Sequence, residues 1–371
     1  MVTKPVAYVC NELFVSQSDH FIPTENRNSM VHGLITACDL LGEMIVVKPS
    51  KADIHDLQLF HESTYLDHLK NASCDTSDEE NGEDIAYGLG YDCPLSDGIL
   101  DYCKMIAGGS LAAAKLLCSK QCQIAVHWLG GWHHAKRDRA SGYCYVNDCV
   151  LSILELRKQF KKVLYIDLDV HHGDGVQDAF YATDKVLTYS VHKFEPGFYP
   201  GTGSLDDIGF GKGKYYTVNV PLKDGIDDEQ FVFVNKQLLT VIRNNFNPDA
   251  IVCQVGADGL SGDPMQSFSL TTDGLRLCVE HITKWNLPTL VLGGGGYNEA
   301  NVAKCWCTIT ASILTRTLPS EIPEHDFFPM YGPDFVFDID KSNRKDTNTS
   351  AYLSSIVNCI MGNLNKLYSK I

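Results

Sequence analysis

The sequence predicts an α/β protein built on a mainly parallel sheet flanked by helices. Two observations carry this. Four short apolar runs bounded by turn residues read as buried strands: QIAVHWLGG (123–131), KVLYIDLDV (162–170), AIVCQVGAD (250–258) and PTLVLGGGGYN (288–298). Between them, GGSLAAAKLLCSK, NDCVLSILELRKQF and LTTDGLRLCVEHITKW place apolar residues every three or four positions, as on one face of a helix. Strands that alternate with helices are joined by crossovers, which make a parallel sheet covered on both faces. Residues 269–272 offer an N-cap for the last of those helices.

Each run then delivers unusual residues at its C-terminal end, where open parallel sheets bind ligands. The first leads into GGWHHAK with His133 and His134. The second ends on LYIDLDVHHGDG, with Asp167, Asp169, His171, His172 and Asp174. A packed strand has no use for so many charges. The third run supplies Asp258, and the fourth supplies four glycines and Tyr297.

Asp169 and His171 stand two residues apart, so on an extended strand both point the same way and can chelate one ion. Asp258 arrives from another strand end as a third ligand. One imidazole and two carboxylates leave a coordination position open, the mark of a catalytic site suited to zinc or ferrous iron. Asp167 and Asp174 remain to orient the imidazoles of His133 and His134, fixing tautomer and raising basicity. Tyr297, after a glycine run that permits close backbone approach, is placed to donate to a developing oxyanion. Phosphate chemistry is disfavoured: the chain has no G-x-x-x-x-G-K-[ST], and no G-x-G-x-x-G opens a helix after a strand.

Composition narrows the class. A hydrophobic fraction of 44% and a charged fraction of 21% suit an ordinary globular core, while 371 residues leave one or two domains open. A net charge of −15 disfavours direct binding to nucleic acid or anionic membrane and favours a cationic, lysine-rich partner. No run of 18 apolar residues occurs, and MVTKPVAYVCNELF has no apolar region long enough for a secretory signal, which points to the cytosol or nucleus. The fourteen cysteines are scattered, several inside apolar runs, and read as buried free thiols. Cys118 with Cys122, and Cys305 with Cys307, lack zinc-knuckle spacing. CDTSDEENGED (74–84) reads as a solvated acidic loop, and EPGFYPGTGSLDDIGFGKGK (195–214) as an excursion rich in turns.

Taken in order, GGWHHAK, ASGYCYVND, YIDLDVHHGDGVQDAF, SVHKFEPGFYPGTG, VGAD and LGGGGYN resemble the blocks of class I histone deacetylases, of the arginase/deacetylase fold. The resemblance runs from about residue 6 to about residue 335, and NSMVHGL, YGLGYDCP and GDPMQSF are similar to the isoform eight type. It implies one catalytic domain over 1–371, with a single open sheet of about eight strands. It also implies hydrolysis of the acetyl amide of N6-acetyl-lysine in histones and other proteins, in nucleus and cytoplasm. Asp169, His171 and Asp258 are then the zinc ligands, with His133 paired to Asp167, His134 paired to Asp174, and Tyr297 as the oxyanion tyrosine.

By the same resemblance Trp132, Gly142, Tyr143, Tyr199 and Met265 line or floor a tunnel for the acetylated side chain, and Asp92 is a rim carboxylate for the peptide backbone. Tyr143 and Tyr199 stand where the family has phenylalanines. Potassium is implied at two sites, one using Asp167, Asp169, His171, Ser190 and Val191, the other Phe180, Thr183, Val186 and Tyr216, largely through backbone carbonyls. Arg27 matches a basic residue beside an internal acetate cavity; read alone, it is equally a surface ion pair. Competing readings are an acetylpolyamine or guanidino hydrolase of the same fold, and a non-catalytic acetyl-lysine reader. Oligomeric state is left open, a monomer included.

Overall fold

The computed structural model describes residues 5–71 and 82–368. The acidic stretch at 74–84 lies mostly outside them; its last three residues open the short helix Gly82–Ala86.

Eight strands form one sheet: β1 (Val6–Val9), β2 (Ile45–Val47), β3 (Ile124–His127), β4 (Val163–Asp167), β5 (Val186–Lys193), β6 (Thr217–Leu222), β7 (Ala250–Gln254) and β8 (Thr289–Leu292). Their order across the sheet is β2-β1-β3-β8-β7-β4-β5-β6, and every strand pair is parallel. The four apolar runs of the sequence are the four contiguous central strands, β3, β8, β7 and β4. Both faces of such strands are covered, which is why they read as unbroken apolar runs.

Side chains alternate across the sheet. In β4, Leu164 and Ile166 enter one core layer, while Val163 and Tyr165 enter the other, under the helices Ile99–Cys118 and Asp148–Leu156. The first layer lies among helices that include Arg27–Ala37, Asp228–Phe246, Thr272–Thr283 and Glu299–Ile313. Trp128, just past β3, stacks on Trp306 with centroids 5.1 Å apart, and the Trp306 indole N–H donates to the Val255 carbonyl at 2.8 Å. These rings fasten helix Glu299–Ile313 to the strand ends. Thr271 caps helix Thr272–Thr283 by accepting from the Asp273 N–H, within the window read from sequence.

Register decides where function sits. His127, Leu292, Gln254 and Asp167 are lateral partners, so the four central strands end in one row. The chain leaves the sheet at the same level four times. Strand β4 stops at Asp167, earlier than the predicted run to 170, so Asp169 and His171 lie on an irregular turn beyond the strand. Asp167 and Gln254 accept and donate through side chains at this point, and the backbone turns away to bring further groups over the sheet edge.

All described cysteines are free thiols, and most are buried. Among the described residues no helix is long and apolar enough to cross a membrane.

Two buried histidines outside the row of charges give the fold a pH dependence. His61 Nε2 accepts the Asn147 N–H at 3.0 Å, and burial holds the ring down to about 4. Burial holds His127 down to about 3. Both rings stay neutral when folded but take a proton near 6.5 when unfolded, so their stabilisation is complete above 6.5 and is lost as pH falls from there toward 4 and 3. Each contributes up to about 1.4 kcal/mol per pH unit. Urea denaturation at pH 7 and pH 5 is expected to show a smaller loss of stability for His127→Gln than for the parent chain; an equal loss would rule out this origin.

Candidate active site

The turn that carries His133 and His134 is built from below. Asp148 accepts the N–H groups of Gly131 at 3.0 Å and Trp132 at 2.8 Å, and also the Ser110 hydroxyl at 2.6 Å. Asn147 Nδ2 donates to the carbonyls of His133 and Ala135 at 3.1 and 3.0 Å. With the backbone fixed on both sides of the pair, the imidazoles have little freedom.

His133 Nδ1 donates to Asp167 at 2.7 Å, and His134 Nδ1 donates to Asp174 at 2.7 Å, the pairing read by resemblance. The two Nε2 atoms are 3.0 Å apart, so one ring donates to the other. Burial pushes His133 down, but the charges of Asp167 and Asp169 outweigh it and raise the ring to about 9. Burial, followed by the neighbouring His133 charge, holds His134 at about 4. These surroundings favour a proton on His133 over one on His134. Two further partners distinguish the pairs: Tyr165 OH donates to Asp167 at 2.7 Å, whereas Lys136 Nζ lies 2.6 Å from Asp174.

Asp169, His171 and Asp258 meet at one point, their ligating atoms all within 4.8 Å of one another, and all three are buried. His171 Nδ1 lies 3.1 Å from Asp169 Oδ1 and 2.9 Å from Asp258 Oδ2. The outer atoms of both carboxylates are held by the protein. Gln254 Nε2 and the Gly295 N–H donate to Asp169 Oδ2 at 2.8 and 2.9 Å, and the Val170 N–H donates to Asp258 Oδ1 at 2.9 Å. Burial and the Asp169 charge push Asp258 up to about 7, which measures how poorly two buried carboxylates tolerate each other. Two carboxylate oxygens and an imidazole nitrogen converging on one point, with their other atoms occupied, fit a divalent cation such as zinc.

Gly295 explains the glycine run: a Cβ there would stand 2.1 Å from Asp258 Oδ2. The loop must pass against the carboxylates of the triad, and at Gly295 only glycine permits it. Tyr297 follows, with its phenol pushed above its ordinary value by burial and by Asp258 and Asp169, so it is a hydrogen-bond donor at neutral pH.

Tyr143 and Tyr199 stand on either side. The Tyr143 ring is 5.8 Å from that of Tyr297, and the Tyr199 ring is 5.0 Å from that of His134. The Tyr199 hydroxyl is bonded to Ser141 Oγ at 2.5 Å, so it is engaged at the rim. Gly142 has φ +53, and a Cβ there would meet His134 at 2.6 Å. Asp92 accepts the Gly142 N–H at 2.8 Å, binding one rim loop to another. Trp132 and Met265 lie within the same core layer below.

Sequence reasoning overlooked several residues here. Phe198 stacks on His171 with centroids 5.2 Å apart. Gln254, Lys136, Asp148 and Asp263 support the site through partners distant in sequence, and no local signal marks them. Of the two readings of Arg27, the surface ion pair is overturned: the residue is buried and donates to the Gly294 and Gly296 carbonyls at 3.0 and 3.1 Å, lying over the rings of Trp132 and Trp306. Of the residues read as potassium ligands, Ser190 lies opposite Asp167 in the β4–β5 register with Val191 next to it. Phe180, Thr183 and Val186 surround the turn between helix Asp174–Phe180 and β5, and the Tyr216 carbonyl accepts the Thr188 N–H at 2.9 Å.

A buried triad that could hold one metal ion, two carboxylate–imidazole pairs and a tyrosine beyond one row of parallel strand ends fit a metal-dependent hydrolase. The histone deacetylase domain family matches residues 22–313, and the chain belongs to that family. It is 52% identical over 341 residues to histone deacetylase 8 of Xenopus tropicalis, covering 92% of each chain. Identity to histone deacetylase 8 of Danio rerio is 49% over 362 residues, covering 98% of this chain and 96% of that one. Human histone deacetylase 1 is 46% identical over 342 residues, covering 92% of this chain and 71% of that protein.

Zinc binding has a direct measure. In thermal unfolding, zinc at a hundredfold over its dissociation constant is expected to stabilise the parent chain by about 2.7 kcal/mol. Asp258→Asn should gain far less at the same zinc concentration. A variant stabilised as strongly as the parent would exclude Asp258 as a ligand.

Proposed function

We propose that the chain hydrolyses the acetyl amide of N6-acetyl-lysine in histones and other proteins, releasing acetate and lysine. The observation that carries this reading is the convergence of the Asp169–His171–Asp258 triad, the His133–Asp167 and His134–Asp174 pairs and Tyr297 beyond one row of strand ends. The whole chain, 1–371, acts as one catalytic domain.

Zinc, on which the family depends, or ferrous iron held by Asp169, His171 and Asp258 would polarise the acyl carbonyl and acidify the attacking water. His134, neutral at physiological pH, takes the proton of that water and gives it to the departing amine. His133, already protonated, supplies positive charge beside the developing oxyanion. Tyr297 donates its hydroxyl to the same oxygen. Tyr143 and Tyr199 flank the lysine methylenes, Trp132, Gly142 and Met265 enclose the acyl end, and Asp92 receives backbone N–H groups of the peptide at the rim. Asp167, Asp169, His171, Ser190 and Val191 would hold one potassium ion, and Phe180, Thr183, Val186 and Tyr216 a second, as the family resemblance implies.

Acetylated histone tails suit a protein of charge −15, because their remaining lysines and arginines meet an opposing field. That same charge argues against direct contact with nucleic acid. The chain acts in nucleus and cytoplasm.

Tyr297→Phe is expected to lower turnover of an acetyl-lysine peptide about 10²- to 10³-fold, with zinc content and thermal unfolding unchanged. Full turnover in that variant would contradict the mechanism. An acetylpolyamine assayed beside the peptide is expected to be the poorer substrate; a higher kcat/KM for the polyamine would replace the substrate assignment.

A further inference from the structure

Tyr297 ends a run of four glycines, two of which, Gly294 and Gly296, have φ of +144 and +135. Such a loop has no side chains to hold it, so its placement depends on groups outside it. Arg27 holds the Gly294 and Gly296 carbonyls, and Asp169 holds the Gly295 N–H. The N–H of Tyr297 goes to Asp263 Oδ2 at 2.7 Å. The other oxygen of Asp263 accepts the N–H of Met265 at 2.8 Å, passing over Pro264, which has no N–H to give.

Asp263 is only 3% exposed, and no lysine, arginine or histidine lies within ion-pair distance among the described residues. Keeping a carboxylate there is costly. An asparagine would be cheaper but has only one acceptor oxygen, and its NH₂ would face the second N–H. Two acceptors are what this position uses, and they reach two segments: the turn bearing Met265 and the loop bearing Tyr297, which Asn298 also ties to the Gly262 carbonyl.

We infer that Asp263 is a positioning residue that fixes Tyr297 and Met265 as one unit, so that the oxyanion donor and the floor of the acyl pocket hold a constant separation. The inference rests on the role given to Tyr297 above. Release of Tyr297 costs turnover, because its hydroxyl acts in the transition state; release of Met265 costs binding, because its side chain packs against the ground-state acyl group.

A double-mutant cycle on the zinc-loaded full chain separates this from a general structural effect. Asp263→Asn is expected to lower kcat on an acetyl-lysine peptide about thirtyfold, the scale of a small misplacement of a reacting group. In the Tyr297→Phe background the same substitution is expected to lower kcat less than about threefold, because the hydroxyl it positions is gone. KM is expected to rise several-fold in both backgrounds, with zinc content unchanged. An equal loss of kcat in the two backgrounds, no loss in the parent, or an unmoved KM would overturn the inference. Undiminished turnover in Tyr297→Phe alone would instead overturn the functional reading. If Asp263→Asn does not fold, Asp263→Glu, which displaces both oxygens by one methylene, runs through the same cycle and must show the same pattern.

Discussion

The structure depends on the burial of two like charges around one point. Asp169 and Asp258 are both fully buried, and each touches the same imidazole nitrogen of His171. Nothing apolar can compensate them, so the surrounding chain is organised to hold their outer atoms and to leave the inner ones for a cation. Gln254 and the backbone of Gly295 and Val170 supply that support, and Gly295 is glycine because a Cβ there would strike the Asp258 carboxylate.

The same negative charge divides the work of the histidines. His133 lies 3.9 Å from Asp169 and bonds to Asp167, which favours its protonated form. That proton then disfavours a second on His134, whose own carboxylate is shared with Lys136. Two adjacent residues of one type thus acquire opposite states from their second partners. The two rings are set apart by environment, without a difference in side chain.

Much of this was legible in the sequence, and the reason is physical. The central strands are covered on both faces, so their apolar runs are unbroken, and the groups that interrupt them at Asp167, Asp169, His171 and Asp258 stand out against that background. The flanking strands carry weaker signals: β2 is three residues long and largely exposed, β5 includes Thr188, Ser190 and His192, and β6 includes Asn219 and Pro221. The strand count came from resemblance. Lys136, Gln254 and Asp263 escaped notice because each is an ordinary residue locally, given its role by a partner 34 or more positions away. The end of β4 was misjudged for a related reason. LDV is apolar enough to continue a strand, but the carboxylates of Asp167 and Asp258 take the N–H groups of Asp169 and Val170 and draw the chain out of the ladder.

The register that aligns the strand ends also sets the order of events during synthesis. Strand β8 lies between β3 and β7, with Ile124 and Thr289 as lateral partners. A nascent chain that has released β3, β4 and β7 from the ribosome therefore holds a sheet with its middle missing. Its histidines and both carboxylates of the triad have been made and β4 already pairs with β7, yet the β3 end that leads to His133 and His134 has no neighbour on that side until the segment ending at Tyr297 slides in. The glycine loop and Tyr297 are the last of these groups to arrive, so a chain broken off before that segment lacks the hydroxyl and has β3 and β7 unjoined.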